Sequence, residues 1–219
     1  MDEEFWRERW ERQEIAFHQR EVNPGLRDCW HHLGLGRGDP VLVPLCGKSE
    51  DMWWLRARGH PVLGVELSPR AAADFFAEHG LAPERRHAGS FEVFEAGGVR
   101  ILCGNVFDLT PEELAGVRGV YDRAALVALP RETRDRYAAH LAVLLPPATP
   151  MLLIALEYPQ GEMDGPPFSI AADEVERLYG DRGHVRLLTR RSILAEEPRF
   201  AERGVTALDE RAYLVTLKA

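Results

Sequence analysis

The sequence predicts an α/β protein built on parallel strands, and three features of residues 41–66 carry the prediction. Residues 41–43 are a short apolar run without alternation, as expected for a parallel strand that is buried on both faces. Gly47 then allows a tight turn, and Ser49 is suited to cap the helix that follows. A second apolar run covers residues 61–65. The stretch is therefore a complete strand–loop–helix–strand unit.

Glu66 stands where the second of these strands stops, about 20 residues after the glycine turn. Open α/β sheets bind ligands at the carboxyl ends of their strands. An acid at this spacing is typical of sites in which a carboxylate accepts hydrogen bonds from ribose hydroxyls. The pattern predicts an adenosine-containing cofactor. The alternative is that Glu66 is an exposed side chain after an ordinary strand.

The turn at residues 44–48 lacks two well-known phosphate-binding signatures. A dinucleotide fingerprint needs Gly-x-Gly-x-x-Gly, and the turn reads Pro-Leu-Cys-Gly-Lys. A phosphate-binding loop ending in Gly-Lys-Ser needs a further glycine where Leu42 stands. A turn without a phosphate cradle, followed by an acid for a ribose, suits S-adenosylmethionine, which carries a sulfonium and no phosphate.

Five blocks of the chain, in order, resemble the thiopurine S-methyltransferase family: Ala16-Phe17-His18-Gln19, Pro44-Leu45-Cys46-Gly47-Lys48, the stretch from Gly59-His60 to Glu66-Leu67-Ser68, Asp122-Arg123-Ala124-Ala125-Leu126-Val127-Ala128, and Gly165-Pro166-Pro167-Phe168. The resemblance implies the class I S-adenosylmethionine-dependent methyltransferase fold, with a doubly wound, seven-stranded, mostly parallel sheet. It also implies methyl transfer to the sulfur of thiopurines or related small thiols, or to selenium or tellurium compounds. Transfer to an oxygen or nitrogen of a small molecule, and a non-catalytic S-adenosylmethionine sensor, stay open.

The resemblance also implies the residues of the site. Those expected to bind the cofactor are Trp10, Leu45, Gly47, Glu66, Asn105, Val106 and Arg123. Those expected to bind the substrate are Phe17, Arg123, Phe168 and Arg199. Without the resemblance, Asn105 is ordinary turn chemistry, Arg123 pairs with Asp122 or lies on the surface, and Arg199 belongs to a solvated loop.

No catalytic residue is assigned. A thiol ionises near neutral pH and its anion is already a strong nucleophile, so methyl transfer to sulfur does not require a positioned base. The matched blocks contain no His–Asp or His–Glu pair that is arranged as a base.

Residues 2–20 are predicted to form an amphipathic helix, with Trp6, Trp10 and Phe17 on one face and a stop at Asn23-Pro24-Gly25. One interpretation is a helix that only packs on the core. The resemblance instead implies a segment that closes over cofactor and substrate. We therefore expect one methyltransferase domain over residues 1–219, with residues 1–25 forming an N-terminal lid helix.

The remaining elements follow from apolar runs and their breakers. Helices are expected from Ser68-Pro69 to Gly80, over residues 131–145 and over residues 169–179, and further strands at 91–94, 99–103, 119–121, 151–156, 185–191 and 212–217. The last two strands are expected to pair antiparallel at an edge of the sheet. Residues 158–168, with three prolines, form a long loop suited to line a substrate pocket.

The composition argues against two classes of binding partner. A formal net charge of −8 argues against binding to nucleic acids or anionic membranes, because phosphates need clustered Lys and Arg. The longest uncharged stretch, residues 141–156, contains three prolines and is not expected to cross a membrane. Three widely spaced cysteines support neither a disulfide framework nor a zinc site. We expect a cytoplasmic monomer that binds a small thiol and no metal.

Overall fold

The computed structural model describes residues 3–218 of the chain. These residues fall into two compact units, one made of residues 3–24 and 35–121 and the other of residues 25–34 and 122–218. Residues 1, 2 and 219, which belong to the predicted domain and in part to the predicted lid, lie outside the described residues.

Helices and strands are mixed along the chain, as in an α/β fold, with three consecutive strands from β3 to β5. The first part of the chain forms α1 Glu3–Glu11, α2 Pro24–Cys29, β1 Val41–Pro44, α3 Glu50–Ala57, β2 Val62–Glu66, α4 Pro69–Glu78, β3 Glu84–Ala88, β4 Phe91–Ala96, β5 Val99–Cys103, α5 Pro111–Leu114 and β6 Gly119–Arg123. The second part forms α6 Ala125–Ala128, α7 Arg131–Leu144, β7 Pro150–Glu157, α8 Ala172–Tyr179, β8 Gly183–Ser192, α9 Pro198–Glu202 and β9 Asp209–Leu217.

The strands of the first unit lie in the order β3-β4-β5-β2-β1-β6. The pairs β5–β2, β2–β1 and β1–β6 are parallel, while β3–β4 and β4–β5 are antiparallel. The register pairs Pro44 with Val65 and Glu66 with Cys103, so the carboxyl ends of β1, β2 and β5 lie side by side. All four residues of β1 are buried, as the unbroken apolar run predicts.

In the second unit the strands lie in the order β7-β9-β8, with both pairs antiparallel. This confirms the predicted antiparallel pairing of the last two strands. Helices α7 and α8 contact each other, and α8 also contacts β8.

The α/β fold class is confirmed, but the predicted count of seven strands is wrong, because the described residues contain nine. The patterns of the sequence predict eight of the nine. The missing strand is β3, whose residues Glu-Arg-Arg-His-Ala are almost all exposed. An edge strand with charged side chains on both faces carries no apolar alternation and cannot be recognised by periodicity.

The predicted extent of the N-terminal helix is also wrong. Helix α1 ends at Glu11, and Gln13 adopts a left-handed backbone conformation with φ of 57°. Pro24 does not simply stop a helix but begins α2, since proline is well tolerated in a first helical turn. The predicted solvated loop around Arg199 likewise contains a short helix, α9, with Phe200 buried.

Among the described residues, none of the helices combines the length and the apolar character needed to cross a membrane.

Candidate active site

The turn after β1 is shaped by two residues in the left-handed region. Gly47 has φ of 53°, which glycine adopts at little cost, and Leu45 has φ of 47°, which is unusual for a leucine. The Cys46 N–H donates to Val65 O at 3.0 Å, so the turn stays attached to the end of β2. Ser49 caps α3 as predicted, because its side chain accepts from the Asp51 N–H. A backbone held in this conformation by its surroundings is typical of ligand-binding turns.

Glu66 lies at the end of β2 with both carboxylate oxygens engaged by the backbone. Its Oε2 accepts from the Gly47 N–H and its Oε1 accepts from the Ser68 N–H, both at 2.8 Å. Burial raises the pKa of the Glu66 carboxyl, and the hydrogen bonds from Ser68 and Gly47 act in the opposite direction. The exposed-surface alternative for Glu66 is therefore wrong, because the side chain is only 6% exposed.

The Glu66 carboxylate fits the predicted cofactor. A carboxylate offers about four lone-pair positions, and besides the Gly47 and Ser68 donors the Leu67 N–H also hydrogen-bonds to this carboxylate. The oxygens keep capacity to accept a further hydrogen bond from a hydroxyl such as that of a ribose. Because the backbone fixes the carboxylate before any ligand arrives, little side-chain entropy is lost on binding.

Trp10, on α1, lies over the glycine turn. The indole is 3% exposed, and a Cβ added to Gly47 would come within 3.0 Å of Trp10 Cζ2. The Phe17 ring packs edge-on against both Trp10 and Trp6, with centroid distances of 5.7 and 5.6 Å. The predicted aromatic face therefore exists, although Phe17 reaches it from beyond the end of the helix.

Asn105 and Val106 follow β5 in a short 3-10 turn. Asn105 Oδ1 accepts from the Phe107 N–H at 2.9 Å, which is the ordinary turn chemistry that the sequence indicates. Its Nδ2 donates to Glu3 Oε1 at 2.6 Å, which connects the turn to the start of α1. Val106 is buried. Helix α1 thus contacts the turns that follow β1 and β5.

A buried carboxylate that the sequence did not reveal anchors the backbone at Asn23. Asp51 Oδ1 accepts from the Asn23 N–H at 2.8 Å, and its Oδ2 accepts from the Tyr121 hydroxyl at 2.9 Å. The sequence marks Asp51 only as an acid in the first turn of α3. Its long-range partners lie 28 and 70 residues away, and no local pattern indicates them.

In the second unit, Arg123 ends β6 and is half-buried. Ala124 follows it with φ of 83°, a left-handed conformation that is unusual for alanine. Asp122 is fully buried and accepts from the Tyr137 hydroxyl at 2.8 Å. Burial raises the pKa of Asp122 to about 7, and the Tyr137 hydrogen bond counteracts part of this effect.

Phe168 belongs to a loop whose backbone is tied down at several points. Its N–H donates to Val127 O on α6 at 2.7 Å, and α6 begins two residues after Arg123. The Tyr158 hydroxyl donates to Pro167 O at 2.6 Å, and the Ser169 hydroxyl donates to Tyr158 O at 2.7 Å. The loop is therefore fixed by a backbone bond to α6 and by hydrogen bonds of the Tyr158 and Ser169 side chains.

Arg199 lies on α9, and its Nε pairs with Glu197 Oε2 at 2.9 Å. The guanidinium carbon lies 5.3 Å from the centroid of the neighbouring Phe200 ring. Phe200 is buried in an apolar cluster with Tyr158, which begins the Phe168 loop. The structure thus joins the segment that carries Arg199 to the base of the segment that carries Phe168.

The predicted cofactor residues Trp10, Gly47 and Glu66 are brought together in the first unit. The predicted substrate residues of the second unit lie on three segments, the end of β6, the loop before α8, and α9: Arg123, Phe168 and Arg199. No group of His, Cys, Asp or Glu in residues 3–218 is arranged to hold a metal ion.

The three cysteines are buried free thiols. Burial is the main cause that raises the pKa of Cys103 to about 12, and it also raises that of Cys46 well above its ordinary value. Both thiols stay protonated near neutral pH, so neither has the properties of a nucleophile.

Comparison with known proteins identifies the family of the chain. The family model for thiopurine S-methyltransferase (TPMT) matches residues 1–218. A thiopurine S-methyltransferase of Nitrosospira multiformis is 51% identical over 215 residues, which cover 98% of this chain and 98% of that protein. The enzyme of the same name from Azotobacter vinelandii is 50% identical over 213 residues, covering 97% and 98% of the two chains.

Solved structures share the fold at low sequence identity. The Burkholderia thailandensis 1,6-didemethyltoxoflavin-N1-methyltransferase, bound to S-adenosylhomocysteine, is 16% identical with a TM-score of 0.66, over 99% of this chain and 87% of that one. An S-adenosylmethionine-dependent methyltransferase from Anabaena variabilis is 14% identical with a TM-score of 0.64, over 99% and 95% of the chains. The fold is that of these methyltransferases, and the chain belongs to the thiopurine S-methyltransferase family.

Proposed function

We propose that the protein transfers a methyl group from S-adenosylmethionine to the sulfur of a small thiol, with thiopurines as model substrates and selenium or tellurium compounds as related ones. The observation that carries the proposal is the pair of hydrogen bonds that orient Glu66 at the end of β2. Family membership supports the reaction type, since relatives about 50% identical are named thiopurine S-methyltransferase.

The residues of the first unit hold the cofactor. Glu66 would accept hydrogen bonds from the ribose hydroxyls, the backbone of Leu45 and Gly47 would lie along the ligand, and Asn105 and Val106 would hold the adenine. Trp10 offers an aromatic face, which attracts a cation such as a sulfonium. When bound, S-adenosylmethionine supplies an electrophilic methyl group. Arg123 belongs to both sets, the residues that bind the cofactor and those that bind the substrate.

The substrate side is formed by Phe17, Arg123, Phe168 and Arg199 in this proposal. The aromatic side chains suit a flat heterocyclic thiol, and the two guanidinium groups favour the anionic form of its sulfur. The protein then has two tasks, namely to align the thiolate with the methyl group and to exclude water. Bound S-adenosylmethionine would supply the methyl group to the thiolate sulfur and would keep the electron pair of the broken carbon–sulfur bond.

The partners of the acidic residues near the predicted site support a mechanism without an enzyme base. Asp122 is fully buried and bonded to Tyr137, and Glu157 pairs with Arg211 at 2.9 Å. Both carboxylates therefore have structural partners in the second unit. A thiol that loses its proton to solvent needs neither of them.

The organisation we propose is one methyltransferase domain over residues 1–219, with residues 1–25 as an N-terminal lid. The contact of Trp10 with the Gly47 turn and the bond between Glu3 and Asn105 support the lid. A cytoplasmic location is supported by the buried free thiols at all three cysteines. We propose a monomer.

The proposal is tested by incubating the protein with S-adenosylmethionine labelled in its methyl group and with matched pairs of substrates. Each pair consists of a heterocyclic thiol and the analogue that carries a hydroxyl or an amine in its place. We expect label only in the thioether product. Label in the oxygen or nitrogen product would favour the alternative methyltransferase, and tight cofactor binding without any transfer would favour the sensor.

A further inference from the structure

A buried arginine lies behind Phe168 and contacts three other segments of the second unit. Arg134, on α7, is 4% exposed. Its Nε donates to Leu129 O and its Nη1 pairs with Glu174 Oε1, both at 2.7 Å. Its guanidinium carbon lies 5.3 Å from the centroid of the Phe168 ring. One side chain therefore connects α7, the residue after α6, helix α8 and the Phe168 loop.

Because a guanidinium is planar, its hydrogen bonds also determine which way its face points. Its donors lie in one plane, so the two hydrogen bonds to Leu129 and Glu174 fix the orientation of that plane. The face of the guanidinium is then free to contact an aromatic ring, and a buried cation is attracted to such a ring. A lysine at the same position would keep the charge but would lose both the plane and the fork of donors.

Phe168 is therefore held at two points. Its backbone N–H donates to Val127 O at 2.7 Å, which fixes the main chain. Its ring lies within range of the Arg134 cation. With the backbone attached to α6, the Arg134 contact restricts the position of the aromatic ring itself.

We infer that Arg134 is a positioning residue that sets the affinity for aromatic thiols through the ring of Phe168. The inference rests on the proposed role of Phe168 in binding the substrate. Arg134 is not itself a catalytic residue. A buried ion pair is weak evidence for a role in stability, because well-packed apolar residues often replace such pairs at no cost.

The test compares Arg134→Lys with the wild-type protein in four measurements: KM for an aromatic thiol, KM for a small aliphatic thiol, cofactor affinity and melting temperature. We expect the KM for the aromatic thiol to rise about 2- to 30-fold, the range that corresponds to one partly desolvated cation–π contact, because the lysine keeps the charge but no longer fixes it against the Phe168 ring. The KM for the aliphatic thiol, kcat and cofactor affinity should stay near the wild-type values.

Arg177→Lys is the matched control. Arg177 lies on α8 and pairs with the same Glu174, at 3.5 Å, but it is 38% exposed and also bonds to Asp135. We expect no change in either KM for this variant. An equal rise for both thiols in Arg134→Lys, or a lower melting temperature with both KM values unchanged, would show a purely structural role and overturn the inference.

The variant Phe168→Ala separates this inference from the proposed function. If Phe168→Ala leaves the KM for the aromatic thiol unchanged, the proposed role of Phe168 is wrong. If it raises that KM while Arg134→Lys does not, only the positioning inference is wrong. In the Phe168→Ala background, Arg134→Lys should add no further rise, since its effect passes through the missing ring.

Glu174→Ala provides a second route if Arg134→Lys does not fold. Removing Glu174 leaves the Arg134 Nη1 without this acceptor, so the plane of the guanidinium is less restricted. The same selective rise in KM for the aromatic thiol is expected, and its absence in a folded Glu174→Ala protein would contradict the inference.

Discussion

Gly47 donates its backbone N–H to Oε2 of Glu66 at 2.8 Å, which joins the turn after β1 to the acid that ends β2. The two residues are separated by 19 positions, and the parallel pairing of β1 with β2 brings them to one edge of the sheet. This bond orients the carboxylate before a ligand binds. Changes at either residue should therefore alter cofactor binding.

Replacing Glu66 by alanine should weaken binding of S-adenosylmethionine by roughly 1–3 kcal/mol, or about 5- to 150-fold, because the ribose hydroxyls lose their acceptor. Isothermal calorimetry measures the change. Glu84→Ala is the matched control, since Glu84 is exposed on β3, and its affinity should equal that of the wild type. Wild-type affinity in a folded Glu66→Ala protein would remove Glu66 from the site.

Replacing Gly47 by alanine should disturb both the turn after β1 and its contact with Trp10 on α1. The left-handed backbone costs a non-glycine residue about 1 kcal/mol, and the new Cβ would come within 3.0 Å of Trp10 Cζ2. We expect weaker cofactor binding and a change in tryptophan fluorescence.

Gly89→Ala separates these two effects. Gly89 has a similar φ of 56°, but nothing lies within 4 Å of an added Cβ. Gly89→Ala should lower the free energy of unfolding by about as much as Gly47→Ala does, and it should leave cofactor affinity unchanged. Equal affinities for the two variants would show that the contact between Gly47 and Trp10 has no part in binding.

Deleting residues 1–20 should preserve the fold and remove turnover. The deletion keeps Asn23, whose N–H bonds to the buried Asp51, so the chain that follows stays anchored. Without Trp10 and Phe17 the site is open to water, which weakens every electrostatic interaction in it. Far-UV circular dichroism reports the fold, and the methyl-transfer assay reports turnover. Global unfolding of the truncated protein would show that α1 is part of the core.

Asp122 should make stability depend on pH. Its pKa rises from 3.8 to about 7 on burial, so the native state binds this proton more tightly than the unfolded state does. The corresponding stability is fully present below about pH 4 and is lost as the pH rises to about 7, with a slope of at most about 1.4 kcal/mol per pH unit.

The variant Asp122→Asn removes this titration. Relative to the wild type, it should therefore gain stability as the pH rises from about 4 to about 7 in urea unfolding experiments, and the gain should stay constant above that range. Asp181→Asn, at an exposed position of the same unit, should show no such trend. A constant difference between Asp122→Asn and the wild type at all pH values would contradict the raised pKa.

The parts of the fold that the sequence predicts are those governed by neighbouring residues. Ser49 caps α3 and Ser68 caps α4 because a hydroxyl reaches donors two or three positions away. The run at β1 is apolar because both faces are buried. The position of Glu66 follows from the length of one strand–helix–strand unit.

The parts that the sequence does not predict depend on partners far away in the chain, or on positive φ angles at residues other than glycine. Asp51 bonds to Tyr121, 70 residues away, and Arg134 bonds to Glu174, 40 residues away. Leu45 and Ala124 adopt positive φ without the glycine that usually marks such positions. The expected substrate-binding roles of Phe168 and Arg199 rest on the resemblance, because no local pattern indicates them.

The central claim is that the protein transfers the methyl group to a thiolate that forms without an enzyme base. The most direct test is the pH dependence of kcat/KM for a series of thiols whose pKa values span several units, with His18→Ala, Asp122→Asn and Glu157→Gln measured beside the wild type. We predict that the midpoint of each profile follows the pKa of the thiol and that the three variants keep most of their kcat for a pre-ionised thiol. A midpoint that stays the same for all thiols, or a variant that binds both ligands but transfers no methyl group at any pH, would contradict the claim.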